Sequence, residues 1–244
     1  MEREGPGGRA EQPDNAGPGL LVVRSRVPGP LLAAFHAWYD TEHVPARIRI
    51  PGWLTARRYA ASTDPESFLA YYDLHDLGVL SRPSYVTMRE RRSESERRML
   101  DLIPPLDRRV YRRLDAPGDG DGDASRPAAL DICGALLLCV WWQPEPGTEP
   151  QFHDWYAREH LPALARIPGW LRSRRFELAE GEGPGFLAMH DLASADVFRH
   201  PGYIRATSAP RRTAVVARRV SHERVLYRLL RRFDSPRPAS TRAT

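Results

Sequence analysis

A glutamate followed directly by a histidine occurs twice, as Glu42–His43 and Glu159–His160, each with a proline two residues on (Pro45, Pro162). Imidazole exchanges a proton near neutral pH, and a carboxylate beside it can set its orientation and pKa. At ~100° per residue, Leu31, Phe35, Trp38, Tyr39, Glu42 and Ala46 share one helical arc. Phe152, Trp155, Tyr156, Glu159 and Ala163 repeat it. Glu42 falls near the centre of this aromatic stripe. There it is either neutralised by an arginine of the underlying sheet, or it lines a pocket with a raised pKa as an acid or base. His43 and His160 lie on the flank of the arc, as do His36 and His153, and read as proton shuttles or as partly exposed structural residues. The run H-x5-E-H lacks the one-turn spacing that brings two histidines onto one ion, so no metal site is expected.

Downstream, a period of two places Trp53, Thr55, Arg57 and Tyr59 on one side of a strand, with Leu54, Ala56 and Arg58 on the other. The second row is Trp170, Arg172, Arg174 and Phe176. Guanidinium groups between aromatics suit an anionic or phenolic aromatic ligand. The alternative is an arginine paired to Glu42 or Asp73 inside the fold. On the next strand Tyr72 is replaced by His190, while Asp73 is kept as Asp191. If that position faces a cavity, the two halves are chemically unequal.

Composition narrows the chemistry. All 36 basic residues are arginine, against 31 acids, for a net charge of +5. Without lysine there is no Schiff-base amine, no phosphate-binding P-loop and no kinase strand lysine. Acids nearly match arginines, so no nucleic-acid partner is expected. The stretch Arg211–Arg232 carries eight arginines against Glu223 and reads as a solvated basic face. The apolar run through Leu136 and Trp142 is far short of the ~20 residues that span a bilayer, and the N-terminal stretch does not resemble a secretory signal. Cys133 and Cys139, about 20 Å apart on an extended segment, are too distant for a disulfide. The expectation is a reduced, cytoplasmic protein.

The elements that must position these residues are duplicated. FHAWYDTEHVPARIRIPGWLTARRY (35–59) recurs as FHDWYAREHLPALARIPGWLRSRRF (152–176), with 16 of 25 positions identical. Two copies, 19–115 and 133–234, flank a linker-like segment, 116–132, with disordered ends expected at 1–18 and 235–244. Each copy alternates periods in the order β-α-β-β-α-β, the split-βαβ or ferredoxin-like unit. Leu20–Val27, Trp53–Ala61, Phe68–Leu74 and Arg108–Leu114 read as strands, with helices at Leu31–Arg49 and Ser84–Leu102. The I-P-G-W runs (Ile50–Trp53, Ile167–Trp170) read as structural turns. A sheet with helices on one face needs a partner for the other. The fold class expected is therefore α+β, with two ferredoxin-like units whose antiparallel sheets face each other as an intramolecular α+β barrel.

F-x-x-W-Y-x-x-E-H-x-P, then P-G-W and R-R-[YF], on this pattern resembles the dimeric α+β barrel superfamily, particularly its EthD-like branch, with two units fused in tandem. The resemblance covers about 200 residues. It implies a fold shared by cofactor-free monooxygenases, cyclases, isomerases, decarboxylases and haem proteins, and by members without catalysis. It places His43 and His160 at the proton-transfer position, and no stretch matches the axial-ligand setting of the haem branch. The expected function is acid/base chemistry on a small aromatic or polyketide-like carbonyl compound, without a tightly bound cofactor. His43 and His160 would move the proton, oriented by Glu42 and Glu159. Trp38, Tyr39, Trp53, Arg57, Tyr59, Tyr72, Trp155, Tyr156, Trp170, Arg174 and His190 would bind substrate. The chain would be a monomeric pseudo-dimer, with room for a further homodimer. The rival is a ligand-binding or assembly protein of the same fold. A cavity of about 300 Å³ or more, reached by a histidine and an arginine, separates the two.

Overall fold

A computed structural model describes residues 17–114 and 130–236. The segments expected to be disordered or linker-like lie mostly outside these described residues. Eight antiparallel strands close into a barrel in the order β1-β3-β2-β8-β5-β7-β6-β4. The first unit supplies β1 (Gly19–Arg26), β2 (Trp53–Ala61), β3 (Ser67–Leu74) and β4 (Asp107–Leu114). The second supplies β5 (Leu136–Pro144), β6 (Trp170–Glu180), β7 (Phe186–Leu192) and β8 (Arg219–Asp234). The units join along two seams, β2 with β8 and β4 with β6, so the last strand of each unit completes the sheet of the other. No strand is left as an open edge. This is the α+β barrel expected from the repeat. No helix among the described residues is long and apolar enough to cross a membrane.

Because side chains alternate across a strand, each sheet has two apolar faces. Leu20, Val22, Leu69, Tyr71, Leu137, Trp141, Leu187 and Met189 fill the barrel interior. Leu21, Val23, Ala70 and Tyr72 face the helices of the first unit, as Leu138, Val140 and Ala188 face those of the second. The first helical layer is α1 (Leu32–Trp38) and α2 (Val44–Ile48), then α3 (Pro83–Glu90) and α4 (Glu94–Leu102). The second is α5 (Glu149–Trp155) and α6 (Leu161–Ala165), then α7 (Pro201–Ser208) and α8 (Pro210–Ala217). Sequence periodicity reads 84–102 as one helix. It is two, because Ser93 caps α4 by accepting from the Glu96 backbone N–H at 3.1 Å.

Two local irregularities decide which side chains face where. Between α1 and α2 the backbone forms a π-helical turn, Tyr39–His43, and Tyr156–His160 repeats it between α5 and α6. A π turn holds one residue more than an α turn, so everything beyond it rotates by about one position. The regular helical arc puts Glu42 and Ala46 inward; in the structure both are exposed, and His43, Val44, Arg47 and Ile48 point in. Glu159 is likewise exposed.

The second irregularity is a β-bulge. Trp53 pairs with Leu74 but Thr55 pairs with Asp73, so Leu54 is the extra residue; Leu171 plays that part between Trp170 and Arg172. The bulge breaks the expected side-chain row. Trp53 packs on the helix side against Tyr72 and Tyr85, with ring centroids 5.0 and 5.1 Å away, while Tyr59 packs in the barrel interior. Upstream of the bulge, Ile50-Pro51-Gly52-Trp53 is a tight turn closed by Trp53 N–H to Ile50 C=O at 3.1 Å, with Gly52 at φ +94°. Gly169 repeats that geometry at φ +85°. Proline then glycine is what such a turn requires.

Charge is buried inside the barrel. Arg174 of β6 donates to Asp73 Oδ1 of β3 at 2.6 Å, across the two units, and Thr55 donates to the other Asp73 oxygen at 2.6 Å. Arg172 and Asp191 pair within the second unit at 2.8 Å. Arg57 reaches the Phe233 carbonyl at 2.6 Å and Asp234 at 2.7 Å on β8. Removing one partner of a buried pair strands the other charge, at a cost of about 3–5 kcal/mol. Asp73→Asn is therefore expected to lower the unfolding free energy by about that much in urea titrations, and pairing Asp73→Leu with Arg174→Met to recover most of it. A cost for Asp73→Asn under about 1 kcal/mol would show that this pair does not hold the units together.

Candidate functional site

The barrel interior is packed. The cavities lie outside it, between each sheet and its helices, at equivalent places in the two units. In the first unit a cavity of about 310 Å³ has an apolar side that includes Leu21, Val23 and Leu106. Tyr72 and Tyr85 add aromatic surface, His43 adds an imidazole, and Arg47, Glu96, Arg89, Arg92 and Arg108 supply its charge.

The π turn places His43 in this wall. Its ring packs against Trp38 and Tyr39, with centroids 4.6 and 4.5 Å away, and is 6% exposed. His43 Nδ1 lies 3.2 Å from Glu96 Oε1, outside hydrogen-bond alignment. Arg47 donates to the same Glu96 oxygen at 2.9 Å and to the His43 carbonyl at 2.8 Å. Burial, reinforced by the Arg47 charge, pushes the His43 pKa down to about 3. Burial works against ionisation of Glu96, but His43 and Arg47 outweigh it and hold that carboxyl at about 2. At neutral pH the cluster is a neutral imidazole with its Nδ1 edge toward a carboxylate. An imidazole that keeps its proton on Nδ1 has Nε2 free to accept one.

Around it, the Tyr72 hydroxyl donates to Tyr39 at 3.4 Å, and burial keeps both phenols protonated. Arg89 lies over the Tyr85 ring at 5.8 Å, and Arg92 Nε is buried without a partner. Neither arginine has a carboxylate partner among the described residues.

The second unit encloses about 220 Å³ among Trp142, Trp155, Trp170, His160, His190 and His222, with Arg212 and Arg224. Trp170 donates its indole N–H to Ser173 Oγ at 2.9 Å, which leaves the hydroxyl proton for His190 Nδ1 at 2.8 Å. His160 stacks on Trp155 with centroids 4.4 Å apart, and burial lowers the pKa of His160 and of His190 to about 3. Trp155 and His160 also border a groove on the outer surface, with Glu159, Arg166 and His200.

Several expected site residues sit elsewhere. Glu42 is held by the Ser93 hydroxyl at 3.3 Å and by Ser95, and Glu159 by Arg211, all on the outer surface. Neither can orient the histidine that follows it, because the π turn sends neighbouring residues to opposite sides. Arg57, Arg174 and Tyr59 belong to the barrel interior, where the two arginines are consumed by ion pairs. Trp38, Tyr39 and Trp53 form the packing behind the first cavity. His43, Tyr72, Trp155, Tyr156, Trp170, His160 and His190 do line cavities. Glu96 escaped the sequence reading, as did Arg47, Arg89, Arg92, Arg212 and His222. One signal was available for Glu96: Ser93-x-x-Glu96 is a helix-capping pattern, and it divides the charged helix at the residue the site uses. Among the described residues no three His, Cys, Asp or Glu side chains are arranged to hold a metal ion.

No protein-family model matches the sequence, and no curated protein matches it. Solved structures do match. A “putative monooxygenase” of Fusobacterium nucleatum superposes with a TM-score of 0.61 at 10% identity, covering 90% of this chain and 95% of that one. An anthrone oxidase-like protein gives 0.58 at 13% identity, over 91% and 94%. A “putative monooxygenase” of Lactobacillus acidophilus gives 0.55 at 7% identity, over 90% and 97%. At these identities the likeness is one of fold, that of the dimeric α+β barrels.

The buried histidines tie stability to pH. His43, His160 and His190 titrate near 3 when folded and at their ordinary 6.5 when unfolded. Between these values the unfolded chain binds more protons, so the stability their neutral forms contribute is intact above 6.5 and lost as pH falls. Each adds up to about 1.4 kcal/mol per pH unit to the slope. Urea titrations at pH 7.5, 6.5, 5.5 and 4.8 should show unfolding free energy falling ever more steeply, and His190→Gln should remove one proton's worth. A level curve over this range would contradict the burial of these rings.

Proposed function

We propose that the chain is an EthD-like enzyme whose first unit performs acid/base chemistry on a small aromatic or polyketide-like carbonyl compound. The observation that carries this reading is the His43–Glu96–Arg47 cluster in the wall of a 310 Å³ cavity that also holds two arginines free of carboxylates. A carbonyl compound with an acidic C–H would sit on the apolar face of β1 and β3. His43 Nε2 would accept the proton, and Glu96 beyond the ring would stabilise the imidazolium that forms. The developing enolate or phenolate would rest against Arg89 and Arg92, positive charges that line the same cavity. An anion there also opposes the Arg47 effect on His43, so the ring becomes a better base once substrate is bound. A cyclase, lyase, isomerase or oxygenase would each begin with this step. The second unit is the weaker candidate for it, because Leu164 and Arg212 stand at the positions equivalent to Arg47 and Glu96, and among the described residues no carboxylate lines its cavity beside His160.

Anthrone suits a test, since loss of its methylene proton generates an aromatic oxyanion. Its methylene hydrogen–deuterium exchange, followed by NMR, should be accelerated by the protein. His43→Ala should reduce the acceleration by roughly 10²–10⁴-fold, and Glu96→Gln should reduce it less. With His43 titrating at about 3 in the free protein, kcat/KM for exchange should stay level between pH 8 and 5. Acceleration undiminished in His43→Ala would remove the role given to His43, and no acceleration by the unaltered protein would favour a non-catalytic ligand-binding role.

A further inference from the structure

The two halves differ most in what lines their cavities. At positions equivalent to Ser25, Arg47, Tyr72, Arg89 and Glu96 the second unit has Trp142, Leu164, His190, Thr207 and Arg212. These exchanges remove the carboxylate and add indole and imidazole. No Asp or Glu lines the second cavity, yet Arg212 and Arg224 do. Neither has a carboxylate partner among the described residues. Arg212 donates to the Thr207 carbonyl at 2.8 Å, and Arg224 reaches the Tyr203 hydroxyl at 3.3 Å and lies over the Phe198 ring at 5.0 Å. Arg212 comes from α8 and Arg224 from β8, so two elements bring positive charge to one cavity.

We propose that the second unit's cavity is a separate binding site for a small aromatic carboxylate, with the carboxylate on Arg212 and Arg224 and the ring among the tryptophans. Planar guanidinium groups match a carboxylate's two oxygens. Indole faces favour an aromatic ring over an aliphatic one of equal size. At about 220 Å³ the space is below the usual range for drug-sized ligands and selects a single ring. The other titratable groups facing this space are His160 from the π turn, His190 from β7 and His222 from β8, with the phenols of Tyr156 and Tyr203. The helices and strands around the cavity contribute no acid to its lining.

The test is calorimetric titration with sodium benzoate, using cyclohexanecarboxylate and inorganic phosphate as comparators. One benzoate per chain should bind, and Arg212→Gln or Arg224→Gln should weaken it by about tenfold or more. Arg212 is half-buried and Arg224 exposed, so neither substitution opens the core. His43→Ala, which disables proton transfer in the first cavity, should leave benzoate binding unchanged, so this site and the proposed reaction fail separately. The proposal is overturned by affinity unaltered in both arginine variants, by phosphate or cyclohexanecarboxylate binding as well as benzoate, or by no saturable binding up to about 10 mM.

Discussion

Each four-stranded sheet carries two apolar faces, and one layer of helices per unit can cover only one of them. The uncovered faces, with Tyr71 and Leu69 on one side and Trp141 and Met189 on the other, must meet each other. Everything else in the architecture follows from that burial. The last strand of each unit pairs with its own sheet on one side and with the other unit on the other, so the polar backbone edges are paired as well. At one point the apolar contact is interrupted by Arg174 and Asp73, whose ion pair is satisfied only when both units are in place. Buried pairs of this kind contribute less to net stability than to the choice of partner and register.

The barrel interior is given over to packing and ion pairs, and the two cavities that hold the histidines lie in the layer between sheet and helices. That layer is shaped by small departures from regularity. One extra residue in a helical turn carries His43 to the cavity and leaves Glu42 outside. One extra residue in a strand keeps Trp53 behind the cavity while Arg57 enters the barrel. The carboxylate that accompanies the histidine comes from a different helix, Glu96 of α4, brought there by the capped break at Ser93.

The order of elements and the facing of the two sheets were legible in the repeat and in its alternating periods, since both report burial directly. The site was legible by residue type and not by phase. Phe35, Trp38 and Tyr39 precede the π turn and fall where a 3.6-residue period puts them; Glu42 and Ala46 follow it and do not. Arg57 and Arg174 are at matching positions, as expected of binding residues, but matching positions in a duplicated barrel are equally the places where charge must be buried symmetrically. Arg89, Arg92 and Glu96 lie outside the segment of highest internal identity, so comparison of the copies drew no attention to them. Tyr72 and His190 were informative because the exchange puts a titratable imidazole where the other half has a phenol, and both line cavities.

The π turn occurs at the same five positions in both copies, each with Pro45 or Pro162 two residues beyond its histidine. An inserted residue shared in this way turns the histidine inward in both halves alike. The partners of the two histidines differ: Arg47 and Glu96 in one half, Leu164 and Arg212 in the other. The inward histidine is thus common to both cavities, and one backbone device presents the same imidazole to two opposite electrostatic settings, a carboxylate in one half and a guanidinium in the other.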